Sequence, residues 1–385
     1  MSRENYKRLG DYIRMVDVRN RDLSVTNLLG VSISKTFIPS IANTIGTDMS
    51  TYKIVKPYQF AYGPVTSRNG DKITFALYKG SEPCIISSAY VCFEIIDKEK
   101  LDPDYLMMWA LRPEFDRYAR FKSNGSAREI FSWEDMCDVL LPIPAIDEQR
   151  KIVRQYQAVE SRIRANEEII DKLEETAQTI YKRMFVDDID SSNLPSGWKT
   201  GQLSDMGKII TGKTPSSDFP EDFGYEFPFI TPGDFIENQK YMISTTRYLS
   251  NEGFSKLKLK ALAYGDIAVT CIGYVGKVSV VSEPSISNQQ INSIRVNQSF
   301  LTEYLYMYLK SITQVLVNAA VGSSTLPLLN KTDFEKIPII LPDETTLKEY
   351  SSKVSSISRE TLLKQKENNK LTEMLNILLY RLSSR

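Results

Sequence analysis

LPIPAIDEQRKI, residues 141–152, joins an apolar run holding two prolines to an acidic, amide-rich segment that opens a helix. A second junction of the same kind, IPIILPDETTLKEY, occupies residues 337–350. Pro144 and Pro342 lie 198 positions apart (342 − 144), about half of the 385 residues. A junction written twice at half-length spacing predicts an internal repeat, and the segments after it say what is repeated. Past Asp147, apolar or small residues fall at Ile152, Tyr156, Val159, Ile163, Asn166, Ile170, Leu173, Ala177, Ile180 and Met184, in alternating steps of four and three. That is the a/d seam of a paired helix. Past Pro342 the seam reads Leu347, Tyr350, Val354, Ile357, Thr361, Lys364, Asn368, Leu371, Leu375, Leu378 and Leu382. From Tyr350 on, each position is its earlier counterpart plus 198.

Neither seam contains Pro or Gly, so two long helices are predicted. Asp147 and Asp343 read as N-caps, and Thr346 with Glu349 has capping-box spacing. Asn166, Thr361, Lys364 and Asn368 place polar side chains near the middle of both seams. Such a layer is either a solvated gap or a device that fixes register at some cost in stability, and it suits parallel and antiparallel pairing alike. The 38 residues 148–185 would make a rod of roughly 57 Å.

The repeat reaches upstream. DYLMMWALRPEF (104–115) resembles EYLYMYLKSITQ (303–314), a Gly-Ser element follows each at 124–126 and 322–324, and KRLGDYI (7–13) faces GQLSDMGKII (201–210). Strand-like runs lie between: DKITFALY, CIISSAYVCFEII, DIAVTCI, GKVSVV and NSIRV, rich in β-branched and aromatic residues. VDDIDSSNLPSG (186–197) has linker composition. The predicted class is α/β (α+β): two similar mixed domains and two long helices. The predicted boundaries are 1–145 for the first domain, 146–186 for the first helix, 187–196 for a linker, 197–342 for the second domain and 343–385 for the second helix.

Composition narrows the function. Histidine is absent and the four cysteines lack CxxC spacing, which excludes ordinary zinc sites and any histidine-based triad. No apolar run approaches the ~18 residues of a membrane span, and the polar start is unlike a signal peptide, so the cytoplasm is the expected compartment. The 48 basic side chains equal the 48 acidic ones, so no global field announces nucleic acid. Phosphate contacts would have to come from local patches or from a partner.

LPSGWKTGQLSDMGKIITGKTPS (194–216) resembles the opening of a target-recognition domain from the specificity subunits of type I restriction–modification systems. The matching residues are Leu194, Pro195, Gly197, Trp198, Leu203, Asp205, Gly212, Thr214 and Pro215. LPIPAIDEQRKI is similar to that family's Pro-x-Pro lead into Glu-Gln, here Glu148-Gln149, and a long helix. FAYGPV with CIISSAYVCFEI (60–65 and 84–95) and SNQQINSIRV (287–296) resemble two recognition-domain cores. Two departures stand out: the second junction has Thr345-Thr346 where the first has the Glu-Gln pair, and the first domain lacks a Leu-Pro-x-Gly-Trp lead.

The resemblance implies a chain without chemistry of its own. Each domain would read half of a split DNA target, and the paired helices, antiparallel in the family, would set the gap and dock two methyltransferase subunits. Those partners would bind S-adenosylmethionine and methylate adenine; restriction subunits using ATP and Mg can join. No cofactor or metal is expected in this chain. A rod of that length would cover at most roughly 17 base pairs, room for reading heads one helical turn apart.

The resemblance points to candidate DNA contacts on loops, where polar side chains reach bases and phosphates. In the first domain these are Tyr62, the hairpin residues Thr66, Ser67, Arg68 and Asn69, and Lys122, Asn124 and Arg128; in the second, Thr211, Lys213, Thr214, Tyr274, Asn288, Gln289 and Gln290. An exposed turn or a structural amide network would account for the same residues without DNA. Glu148, Gln149, Ile152, Tyr156, Val159, Ile163, Tyr350, Val354, Ile357, Leu371, Leu375 and Leu378 are the candidates for helix pairing and partner docking. Three alternatives remain. One is the recognition subunit of another restriction architecture, a two-sided cutter. A second is a coiled-coil scaffold that binds protein only. The third is a P-loop enzyme, because GKIITGKT (207–214) matches the Walker A pattern. Pro215 and the acidic SSDFPED that follow make a poor helix start and a poor neighbour for a triphosphate.

Overall fold

The computed structural model describes residues 6–40, 46–67, 70–123, 129–320 and 327–384. It divides into two compact units, one of residues 1–161 with 372–385 and one of residues 162–371. Each long helix therefore contributes its parts to both units.

Among the described residues, the strands of the first unit are β1 (Tyr6–Arg8), β2 (Ile13–Val16), β3 (Leu29–Val31), β4 (Phe37–Pro39), β5 (Lys53–Val55), β6 (Phe60–Tyr62), β7 (Phe75–Leu77), β8 (Cys84–Ile86), β9 (Val91–Ile95) and β10 (Leu140–Pro142). Its short helices are α1 (Pro103–Ala110), α2 (Pro113–Lys122) and α3 (Trp133–Cys137), and α4 (Ile146–Phe185) is the first long helix. The main sheet runs β2-β9-β6-β7, antiparallel throughout. Every residue of β6 and β7 is buried, as expected of strands covered on both faces. Phe60 stacks on Phe93 at 4.9 Å, and Phe75, Phe115 and Phe131 complete an aromatic core against α1 and α2.

In the second unit the strands are β11 (Lys199–Gln202), β12 (Gly207–Thr211), β13 (Phe223–Gly224), β14 (Phe227–Ile230), β15 (Tyr241–Met242), β16 (Arg247–Leu249), β17 (Ile267–Thr270), β18 (Val278–Val281), β19 (Ile286–Ser287), β20 (Ile291–Val296) and β21 (Pro338–Leu341). The helices are α5 (Leu203–Met206), α6 (Asn251–Lys256), α7 (Leu301–Ser311), α8 (Thr313–Ala319), α9 (Lys331–Glu335) and the second long helix, α10 (Glu344–Ser384). One sheet runs β12-β20-β17-β18-β15 and another β13-β16-β14-β19.

The repeat is carried into the hydrogen bonds. β1 pairs antiparallel with β10, and β11 with β21. Leu9 N–H donates to Val139 O at 2.8 Å, and Leu203 N–H to Ile337 O at 3.0 Å. Ser132 caps α3 by accepting from Asp135 N–H, and Asn330 caps α9 by accepting from Asp333 N–H. The Tyr105 hydroxyl donates to Pro142 O, and that of Tyr304 to Ile340 O. The strand order β2-β9-β6-β7 recurs as β12-β20-β17-β18. Two copies of one mixed helix–strand domain, each followed by a long helix, account for the doubled junction.

Where their seams meet, the long helices run antiparallel. In the second unit Phe185 and Tyr181 lie 5.1 and 6.2 Å from the Tyr350 ring, while Asn166 near the other end donates to Asn368 Oδ1 at 2.8 Å. In the first unit Val153 and Tyr156 share a core with Leu375, Leu379 and Leu382. The polar layer is thus a bonded pair and not a solvated gap. Asn166 is fully buried, Asn368 also donates to Ile163 O, and Arg162 pairs with Glu367 at 2.7 Å.

Three expectations about these helices need correction. Asp147 is not the N-cap of α4: the carbonyl of Ala145 accepts from Glu148 and Gln149 N–H, and Asp147 belongs to the first turn. Nor do Thr346 and Glu349 form the cap of α10; Asp343 accepts from Thr346 N–H and Oγ1 at 3.0 and 2.6 Å. Toward the end of α4 the buried line moves from Ile180 and Met184 to Tyr181 and Phe185. A straight helix drifts by ~20° per heptad against a 3.5-residue repeat, and here the domain core takes up the rotated face.

The Leu-Pro-x-Gly-Trp lead has a local purpose. Gly197 turns the chain at φ +84°, and Trp198 donates its indole N–H to Asp343 Oδ2 at 3.1 Å. The Asp343 carboxyl is held below its ordinary range, chiefly by the hydrogen bonds from Thr346 and further by that from Trp198. A depressed folded pKa stabilises above the unfolded value of about 4 and is lost as pH falls through the folded one. The stability gap between wild type and Asp343→Asn should therefore shrink on acidification below about pH 4. Denaturation followed by tryptophan emission at several pH values checks this; a gap that widens in acid would contradict it.

Candidate nucleic-acid interface

In the second unit, strand order gathers segments distant in sequence at one end of the sheets. β12, β14, β17 and β19 finish there, and β16, β18 and β20 begin there. Thr211 opposes Asn292, and its hydroxyl donates to Asn292 Oδ1 at 2.7 Å while Asn292 donates to Leu329 O. Gly212 N–H donates to Ile291 O and Lys213 N–H to Ser287 O. A Cβ on Gly212 would collide with the carbonyl oxygens of Ser287 and Asn288, so only glycine allows this approach. Thr214 donates to Gln289 Oε1 at 2.6 Å. Asn288 is buried, with its amide donating to Gln290 Oε1 and accepting from Gln290 N–H. Tyr274 is 74% exposed, with Lys277 Nζ 5.6 Å from its ring.

All seven candidates of the second domain share this face, and the strand order adds others that sequence reading missed. Lys277 Nζ donates to Phe235 O, which brings in the turn at 231–234. That turn is locked by Asp234, whose carboxylate accepts from the backbone and hydroxyl of both Thr231 and Thr246. Arg247 is exposed, and its guanidinium lies 3.8 Å from the Phe223 ring centre, a cation held over an aromatic plate. Threonine-rich ITPGD and STTR were visible as text, but only the β14–β16 pairing shows that they meet.

GKIITGKT is not a phosphate loop. Residues Gly207–Thr211 form β12, no helix begins at Gly212, and the Gly212 and Lys213 N–H groups are spent on the neighbouring strand and turn. A P-loop requires those donors free at a helix start. Fluorescent ATP at micromolar concentration is expected to show no saturable binding to the isolated chain; titration by anisotropy checks this.

The first unit repeats the arrangement. Val16, Tyr62 and Val91 occupy the corresponding end of its main sheet, followed by the hairpin to β7 and preceded by the Ser-Ser-Ala-Tyr turn at 87–90. Thr66 N–H donates to Glu129 O and Phe131 N–H to Pro64 O; Gly273 N–H to Pro327 O and Leu329 N–H to Cys271 O are the same pair in the second unit. The hairpin around Ser67 and the loop around Tyr274 therefore hold equivalent positions. Ser67 is exposed, and Lys122, half-buried at the end of α2, lies 6.0 Å from the Tyr118 ring. Arg68, Asn69, Asn124 and Arg128 fall outside the described residues.

Several candidates are placed where the side chain has no surface to offer. Tyr62 is fully buried between Phe93 and Phe131, because β6 is covered on both faces and Tyr62 lies on the one lined by these rings. Thr66 is buried and donates its hydroxyl to Glu129 O. Gln149, expected to meet a partner, is wholly buried: Oε1 accepts from Asp102 N–H at 2.9 Å, and Nε2 donates to Lys100 O and Pro144 O. It clamps the start of α4 to the loop ahead of α1, which explains why the junction carries an amide there. Tyr350 and Val354 are likewise fully buried in helix packing, and Ile152, Tyr156, Val159, Ile163, Ile357, Leu371, Leu375 and Leu378 line the seam buried or half-buried. Glu148 is half-buried beside Lys151.

No cysteine is poised as a nucleophile. Burial pushes the Cys84 thiol up to about 12 and those of Cys92 and Cys271 up to about 11, and Cys137 is raised as well.

The description "Type I restriction modification DNA specificity domain" matches residues 9–175 and again residues 195–373. The chain belongs to that family. The HindI specificity subunit of Haemophilus influenzae is 29% identical over 351 residues, covering 73% of this chain and 76% of that protein. The MjaIX specificity subunit of Methanocaldococcus jannaschii is 25% identical over 194 residues, covering 50% of this chain and 45% of its own length. A crystal structure of a type I restriction–modification S subunit from M. genitalium shares the fold, with a TM-score of 0.58 at 13% identity over 98% of this chain and 95% of that one. The two matched stretches of this specificity-family chain coincide with the two copies seen in the hydrogen bonds. Among the described residues, no helix is long and apolar enough to cross a membrane.

Proposed function

We propose that the chain is the sequence-reading component of a type I restriction–modification complex, acting on cytoplasmic DNA. Each domain copy contacts one half of a bipartite target through the loops at the sheet end described above. The observation that carries this reading is the doubled face: equivalent strand ends in both copies present polar loops over a rigid sheet, within a family defined by DNA specificity. Methylation of adenine, with S-adenosylmethionine, and ATP- and Mg-dependent restriction are assigned to partner subunits. Two methyltransferase subunits are the expected partners, and two restriction subunits can join them.

Burial supports docking of such partners away from the seam. Seam residues are used up in helix packing, whereas Met374 and Ile377, three apart on α10, are 49% and 53% exposed. Coexpression with the cognate methyltransferase subunits, followed by genome-wide mapping of methylated adenine, tests the proposal. A two-part motif with a fixed gap is expected. Methylation without a sequence motif, or with one contiguous motif, would contradict it.

A further inference from the structure

Among the side-chain amides of the second domain's face, the structure separates those that hold the loop from one that is offered. The amides of Asn288, Gln290 and Asn292 are bonded to one another's turn, to Thr211 or to Leu329 O. The backbone around them is pinned: Asn288 N–H donates to Ile230 O at 2.9 Å, Ile291 N–H to Asn288 O, and Cys271 N–H to Gln290 O. Gln289, between them, projects an exposed side chain from a fixed backbone. Its Oε1 accepts from the Thr214 hydroxyl at 2.6 Å. With the hydroxyl donating, that bond anchors the amide and leaves the Nε2 hydrogens and a second Oε1 lone pair for a ligand.

We infer that Gln289 reads an adenine in the major groove, with Thr214 as its positioning residue. This rests on the DNA-reading function proposed above. An anchored amide offers a donor and an acceptor side by side. Adenine presents the complement, the N7 acceptor beside the N6 donor; guanine shows two acceptors, cytosine only a donor, and thymine an acceptor beside a methyl group. The unpaired alternatives desolvate one end of the amide without replacing its bond. Lys213 and Tyr274, exposed on the same face, supply contacts that do not depend on the base pair.

The test uses the complete complex with its methyltransferase subunits and a library of duplexes randomised across the target. Gln289→Ala should relax discrimination at one adenine of one half-site by roughly ten- to a hundredfold, leaving all other positions unchanged. Gln289→Glu should move the preference at that position toward cytosine, whose N4 donates to a carboxylate. Thr214→Val should relax the same position more weakly, and Thr214→Ser should restore it; a merely structural threonine would not act on one base. An unchanged profile in Gln289→Ala, or an equal loss on every sequence, overturns the inference while the sequence-reading function stands. A wild-type complex with no sequence preference would instead overturn that function, and the inference with it.

Discussion

Lys240→Met is expected to destabilise the second unit by about 3–5 kcal/mol, the largest single-residue effect foreseen in this chain. Lys240 is 2% exposed, just ahead of β15, and its ammonium pairs with Glu303 on α7 at 2.6 Å and with Ser358 on α10 at 2.8 Å. It also lies 5.0 Å from the Tyr306 ring. Removing the lysine leaves the Glu303 carboxylate buried without its counter-charge, which costs more than the pair ever contributed. The double variant Lys240→Met with Glu303→Leu should recover most of the loss, because neither charge then needs solvating. Chemical denaturation of the three proteins measures this, and equal losses in single and double variants would contradict it.

The expected damage also has an address. Next to Lys240, Tyr241 N–H donates to Gln365 Oε1 at 3.0 Å, and Ser244 bonds Asn369. These contacts fasten the 235–247 segment, which carries Arg247 and the Thr246 side of the Asp234 lock, to α10. A loosened attachment should blur reading at the second half-site before the unit unfolds.

How much of this was legible in the sequence follows from the range of each signal. The heptad steps and the 198-residue echo are local periodicities, so both long helices and their shared seam could be read directly. Register by a central asparagine could also be foreseen, although whether Asn166 meets Asn368 or water depends on a partner helix about 200 positions away. Burial was harder. Gln149 and Gln289 are the same residue type beside polar neighbours, yet one clamps a core and the other projects from a turn. No spacing distinguishes them, because the difference lies in the strands and loops that close over Gln149.

Tyr62 illustrates the same limit at one residue. A tyrosine beside a hairpin reads as a DNA contact, but β6 is covered on both faces, and only the layers packed over it show that Tyr62 lies in the core. Arg247, Lys277 and the turn at 231–234 were missed for a different reason. They join Lys213 and Gln289 only through strand order, in which β14 takes β19 as a parallel neighbour and β16 as an antiparallel one. Motif reading along the chain has no access to that convergence.

Exchanging residues 1–145 for the corresponding domain of another family member should rewrite one half of the DNA target completely and leave the other untouched. The Tyr105–Pro142 and Leu9–Val139 hydrogen bonds seal the first domain's two ends together, and its core continues onto Val153, Tyr156 and Leu382 of the long helices. Such a domain can be replaced as a piece, provided those helix contacts and the Gln149 clamp to the loop at 100–102 are kept. Reading by base-edge contacts is local to each domain, so the effect at one half-site is a change of identity and not a loss of affinity. Genome-wide mapping of methylated adenine in cells carrying the exchanged chain and the methyltransferase partners proposed above measures this directly. One altered half, one retained half and an unchanged gap are predicted; change in both halves would contradict two independently reading domains.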